Sequence, residues 1–249
     1  MKTLISILIG LLVVGCGESK EEKATPSKGD DKNTTKAKPA TKVVPEKLIA
    51  DPIIEKAIRG ALSTFSSKFT GELTKVDLEK VTTLYLSGNQ LTEVPNGLEK
   101  FTQLKGLNLS GNRLTDVTSL EKLTQLESLL LGNNKLTEVS NGLEKLTQLK
   151  ELYLSGNQLT DVKGLEKLTQ LKELYLDGNQ LTDVKGLEKL TQLKELHLDG
   201  NQLTDVRGLE KLTQLTRLDL RGNPDLTKAQ IAELQKVLPK CTIHHNAKK

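Results

Sequence analysis

The side chains best suited to chemistry in this chain recur at a fixed interval. Glu151-x-Tyr153-x-Ser155, Glu173-x-Tyr175-x-Asp177 and Glu195-x-His197-x-Asp199 follow one another in steps of 22 residues. Alternation with leucine puts each triplet on one face of an extended segment. Tyrosine and histidine rings offer contact area and a polar tip at low entropy cost. Carboxylates around them select a cationic partner by complementarity. The expected ligand-binding residues are therefore Glu151, Tyr153, Glu173, Tyr175, Asp177, Glu195, His197 and Asp199.

Catalysis fits the same residues poorly. Of three histidines, His244 and His245 stand together near the end of the chain, where an exposed pair is most often only polar. No His/Cys cluster has zinc-ligand spacing. The stretches "GNP" and "DGN" are turn chemistry, since no G-x-x-x-x-G-K-[ST] or G-x-G-x-x-G occurs. Asp177 and Asp199, about one strand spacing apart, are the nearest approach to a cation site. The expectation is a protein that is not an enzyme and carries no cofactor or metal.

Composition narrows the partners. Lys+Arg of 36 against Asp+Glu of 32 gives +4, spread along 249 residues, without the concentrated basic face of a nucleic-acid binder. Aromatic residues make up 2% and tryptophan is absent, so leucine must do the packing. Two cysteines, Cys16 and Cys241, rule out a disulfide framework.

What positions the columns is a repeat. Asn89, Asn112, Asn134, Asn157, Asn179, Asn201 and Asn223 are spaced by 22 or 23 residues, each within L-x-x-L-x-L-x-x-N-x-L. The two longer units gain their residue at one place, "EVPNGLEK" and "EVSNGLEK" against "DVKGLEK". An insertion confined to one loop leaves strand and turn in register. The L-x-L segment reads as a short strand with both leucines inward, stacked in parallel about 4.8 Å from the next. Asparagine turns the chain inward, where its amide satisfies backbone groups that no ladder reaches. "GLEKLTQL" is too short for a full helix and reads as a tight turn or a 3₁₀ piece.

Open stacks need capped ends. "DPIIEKAIRGALSTFSSKF" places Ile54, Ala57, Ile58, Ala61, Leu62 and Phe65 at helical spacing behind Pro52. "DLTKAQIAELQKVLPKCTIHH" puts Ile231, Leu234, Val237 and Leu238 on one helical face, after which Cys241 and Ile243 alternate like a short closing strand. Cys241 reads as a buried apolar residue rather than a nucleophile.

The N-terminus reads as an export signal. "MKTLISILIGLLVVGC" has Lys2, then an apolar run from Leu4 to Val14 too short to span a bilayer. Its ending resembles the bacterial lipobox, which implies cleavage before Cys16 and lipid on that cysteine. Residues 17–47 carry eight lysines, six acids and few apolar residues, the composition of a flexible tether. The organisation is thus 1–15 signal peptide, 16–47 lipidated cysteine and disordered tether, 48–80 N-terminal helical cap, 81–226 seven repeats, 227–249 C-terminal helical cap and tail.

Taken together, "LxxLxLxxNxL", "GLEKLTQL" and the lipobox resemble bacterial leucine-rich-repeat lipoproteins, with repeats similar to the 22-residue class of internalins. The resemblance covers about residues 50–245. It implies an α/β repeat solenoid: a leucine-rich-repeat horseshoe with a parallel concave sheet, short turns or 3₁₀ pieces on the convex side and helical caps at both ends. It also implies a monomeric, membrane-tethered binder of a protein partner through the concave face, held in the cell envelope, in the outer membrane or at the surface of a double-membraned bacterium. A binder of envelope glycan, or a spacer without a specific ligand, are the alternatives.

Overall fold

Leucine at every second position of a three-residue segment drives one side of the chain into a core and leaves the other in water. The structure, a computed structural model, describes residues 47–63, 69–139 and 142–248. Cys16, the signal segment, nearly all of the tether and Phe65 lie outside the described residues. Among the described residues no helix is long and apolar enough to cross a membrane.

Seven strands carry the repeats: β1 Thr83–Tyr85, β2 Gly106–Asn108, β3 Ser128–Leu130, β4 Glu151–Tyr153, β5 Glu173–Tyr175, β6 Glu195–His197 and β7 Arg217–Asp219. An eighth, β8 Thr242–His244, closes the row in the order β1 to β8, all neighbours parallel. Register is uniform: Leu84, Leu107, Leu129, Leu152, Leu174, Leu196 and Leu218 form one continuous inward line, all 1% exposed or less. Short 3₁₀ pieces such as Leu143–Lys145, Leu165–Lys167 and Leu187–Lys189 return the chain on the far side and bury a leucine each. The result is the leucine-rich-repeat solenoid that the spacing predicts.

The asparagines hold consecutive turns together. Asn179 Oδ1 accepts from Leu159 N–H at 3.0 Å, and its Nδ2 donates to the carbonyls of Leu154 and Leu176 at 3.0 Å each. Asn134, Asn157, Asn201 and Asn223 repeat this pattern, each reaching into the turn before its own. All four are buried. Asn89 has no earlier repeat to reach; it is exposed, and its side-chain amide donates to Ser87 O at 3.2 Å within its own turn.

The ends are covered as expected, with differences. Helix α1 (Pro52–Ser63) buries Ile54, Ile58 and Leu62, and Asp51 Oδ1 caps it by accepting from the Ile53 and Ile54 N–H groups at 2.8 and 3.1 Å. A second helix, α2 (Lys75–Lys80), opens with a reciprocal Thr74–Asp77 capping box. At the other end α3 (Lys228–Val237) buries Ile231 and Leu234, and Leu238 follows them into the core. Val237, expected on that face, is 46% exposed. Ile231, Leu234 and Leu238 recur at i, i+3 and i+7, and Val237 falls at the rim of that stripe. Cys241 is buried, and burial pushes its thiol up to about 11, so it stays protonated and packs as an apolar residue.

Candidate functional site

The outward residues of β4, β5 and β6 face the concave side in three adjacent columns. Strand register brings Glu151, Glu173 and Glu195 side by side, and likewise Tyr153, Tyr175 and His197. Asp177 and Asp199 follow two residues beyond Tyr175 and His197, past a buried leucine. All eight residues expected from sequence therefore share one patch, each half-buried.

The rings form a ladder. Tyr153 and Tyr175 stack with centroids 4.3 Å apart and planes 8° from parallel. Tyr175 and His197 continue the stack at 4.5 Å and 15°. In-register parallel strands impose this, because identical positions one strand apart are separated by roughly the thickness of two rings in contact. Ring faces are thus turned on each other, and hydroxyls and edges are what the surface presents.

Carboxylates rim the ladder. Tyr153 Oη donates to Glu173 at 3.3 Å, and Tyr175 Oη lies 3.5 Å from Glu173 and 3.4 Å from Glu195. Burial first, then the negative charges beside them, hold both phenols above the ordinary tyrosine value, so they stay protonated donors. Asp199 is held above the usual aspartate value by burial, then by the repulsion of Asp219 and Asp177. Among the described residues no lysine or arginine forms an ion pair with Glu151, Glu173, Asp177, Glu195 or Asp199. Acids elsewhere do find cations: Glu121 pairs with Lys145, Glu144 with Lys167, and Glu127 with Lys105 and Lys150.

One member of the acidic half behaves differently. Asp219, next in the column after His197, is 1% exposed and receives Arg221 on both oxygens. Burial opposes its ionisation, but the hydrogen bonds and charge of Arg221 outweigh it and lower its pKa. Both residues hold outward positions of the repeat, and the closure comes from the side chain of residue i+2 folding back over residue i, which repeat spacing does not record. His244, read from sequence as a tail residue, pairs in register with Asp219 on β8 and extends the same column. No periodic signal marks it, because β7 and β8 are offset by 25 residues and separated by α3.

The family profile described as "Leucine Rich repeats (2 copies)" matches residues 79–122, 102–145, 124–167, 147–189, 169–210 and 191–236. A search of curated proteins finds no match. Among solved structures, internalin C2 from Listeria monocytogenes is 27% identical, with a TM-score of 0.61 over 80% of this chain and 95% of that one. The functional domain of InlJ from the same organism, described as including a cysteine ladder, is 27% identical with a TM-score of 0.63, covering 81% of this chain and 43% of that one. A leucine-rich-repeat protein of Leptospira interrogans is 31% identical with a TM-score of 0.54, over 69% of this chain and 51% of that one. The chain thus spans only about half the length of the last two.

Proposed function

The chain belongs to the leucine-rich-repeat family, and on that premise we propose that it is a non-enzymatic binding protein whose concave C-terminal half takes a basic segment of a protein partner. One observation carries this reading. Five acids surround the Tyr153–Tyr175–His197 stack without a lysine or arginine ion pair among the described residues, whereas several acids elsewhere, such as Glu121 and Glu144, have one. Unrelieved like charge on neighbouring strands is destabilising by itself, and a lysine- or arginine-rich partner would relieve it. The hydroxyls of Tyr153 and Tyr175 supply donors between the acids.

The glycan alternative draws less support from the same geometry. Sugar stacking uses free ring faces, and here the faces of Tyr175 are covered on both sides by Tyr153 and His197.

The test is capture from envelope extract by the immobilised protein. Wild type is expected to retain a protease-sensitive partner that elutes with salt. Tyr153→Ser combined with Tyr175→Ser should lower capture at least tenfold, with the urea unfolding midpoint nearly unchanged. Equal capture by this double variant would refute the concave site, and a protease-resistant partner would move the reading to glycan.

Anchoring belongs to the same proposal. Lipid on Cys16 would hold the repeats at the bacterial envelope through the tether of residues 17–47. Each buried acyl CH₂ contributes about 0.8 kcal/mol, so two chains or more give a stable anchor. Cys16→Ala is expected to shift the protein from the detergent-extracted membrane fraction to the soluble one. A variant that stays with the membrane would show that the lipid is not the anchor.

A further inference from the structure

At the end of the acidic strip, two residues of the proposed binding surface meet a third, Asp219, that the binding reading leaves out. His197 ends β6, Asp199 follows it two residues later, and Asp219 pairs with His197 from β7. One ligand atom from each of the three lies within 4.8 Å of the other two. This is a nitrogen donor and two oxygen donors converging from β6, the segment just after it and β7, which departs from the sequence expectation of no metal.

We propose that His197, Asp199 and Asp219 form a binding site for a divalent transition-metal ion of the zinc class. Zinc takes imidazole nitrogen and carboxylate oxygen at roughly 2.0–2.2 Å. Two such bonds span at most roughly 4.4 Å, so donors within 4.8 Å of one another would have to close only slightly to share an ion. The imidazole is what separates this set from a merely acidic patch, because calcium and magnesium prefer oxygen ligands throughout.

Three features around the cluster fit a ligand set. Stacking on Tyr175 at 4.5 Å fixes the His197 ring before any ion arrives. Glu195 Oε2 lies 3.9 Å from His197 Nε2, which puts a carboxylate beside the ring, the usual companion of a metal-binding imidazole. Asp219 is buried, and Arg221 occupies its oxygens. The Arg221 side chain is 59% exposed, free to swing into solvent when a divalent charge replaces it.

The experiment is calorimetric titration of the full chain, purified without a histidine tag, with zinc chloride. One ion per chain is expected, undisturbed by excess magnesium or calcium. His197→Gln and, separately, Asp199→Asn should each weaken binding at least tenfold, and both should keep the metal-free unfolding transition of wild type. Cobalt substituted for zinc should give a tetrahedral visible spectrum without a thiolate charge-transfer band. Absence of zinc uptake, undiminished uptake by both variants, or a thiolate band placing the ion on a cysteine would each overturn the site. None of these readouts depends on a protein partner, so the metal site and the partner surface fail independently.

Discussion

Replacing Asn179 with alanine is expected to lower the unfolding free energy by about 4 kcal/mol, while Asn89→Ala costs about 0.5 kcal/mol. The residue type is the same and the repeat position is the same; the neighbourhood differs. Asn179 is buried, and its amide holds Leu159 N–H, Leu154 C=O and Leu176 C=O. Alanine leaves those three backbone groups in a leucine core, each costing roughly 1–3 kcal/mol unless water reaches it. Asn89 is exposed and gives one hydrogen bond, to Ser87 O, that water replaces. Urea unfolding of both variants measures the difference directly. Equal losses at the two positions would mean that the asparagines act through turn conformation rather than through satisfaction of buried groups.

The second large effect is steric. A Cβ on Gly142 would meet Thr118 O at 2.4 Å and Thr118 Cα at 2.7 Å, both backbone atoms of the preceding turn. Gly142 has an ordinary φ of −68°, so an added methyl fails on space and not on conformation. Backbone cannot yield as a flexible side-chain tip does, and overpacking of this kind costs about 3 kcal/mol. Gly142→Ala should therefore lower the urea midpoint strongly. Gly60→Ala is the matched control, since its Cβ meets nothing within 4 Å in the middle of α1. There alanine is the better helix former, and stability should rise by up to about 1 kcal/mol. A Gly142→Ala protein as stable as wild type would mean that the turns around Thr118 slide apart without cost.

The repeats made most of this architecture legible before any coordinates. Leu152, Leu154 and Asn157 each have one job, repeated identically, so spacing alone assigns inward leucines, the buried amide and the outward columns. Tyr153, Tyr175 and His197 fell into one column for the same reason. What the columns could not convey is how occupants of a column treat one another. Ring stacking at 4.3 and 4.5 Å follows from strand separation plus rotamer choice, and rotamers leave no trace in a pattern of letters. Asp219 carries the same outward position as Tyr175 yet is sealed under Arg221, a choice made by one pair of side chains at the end of the row. Val237 and His244 were misplaced for a related reason. Both lie past the last full repeat, where periodicity stops supplying the frame and local packing of α3 and β8 decides.

The asparagine ladder gives the molecule a direction in time as well as in space. Each amide completes the turn before its own: Asn201 serves Leu181 and Leu176, and Asn223 serves Leu203 and Leu198. A polypeptide emerging from the ribosome N-terminus first therefore always carries one unfinished coil, the newest, whose polar backbone waits for a residue about 20 positions from being made. Every coil behind it is already sealed. Trimming the chain from its C-terminal side reopens the polar backbone of a finished coil, whereas loss of a repeat from the front uncovers apolar core and leaves only an asparagine amide for water to serve, as Asn89 shows.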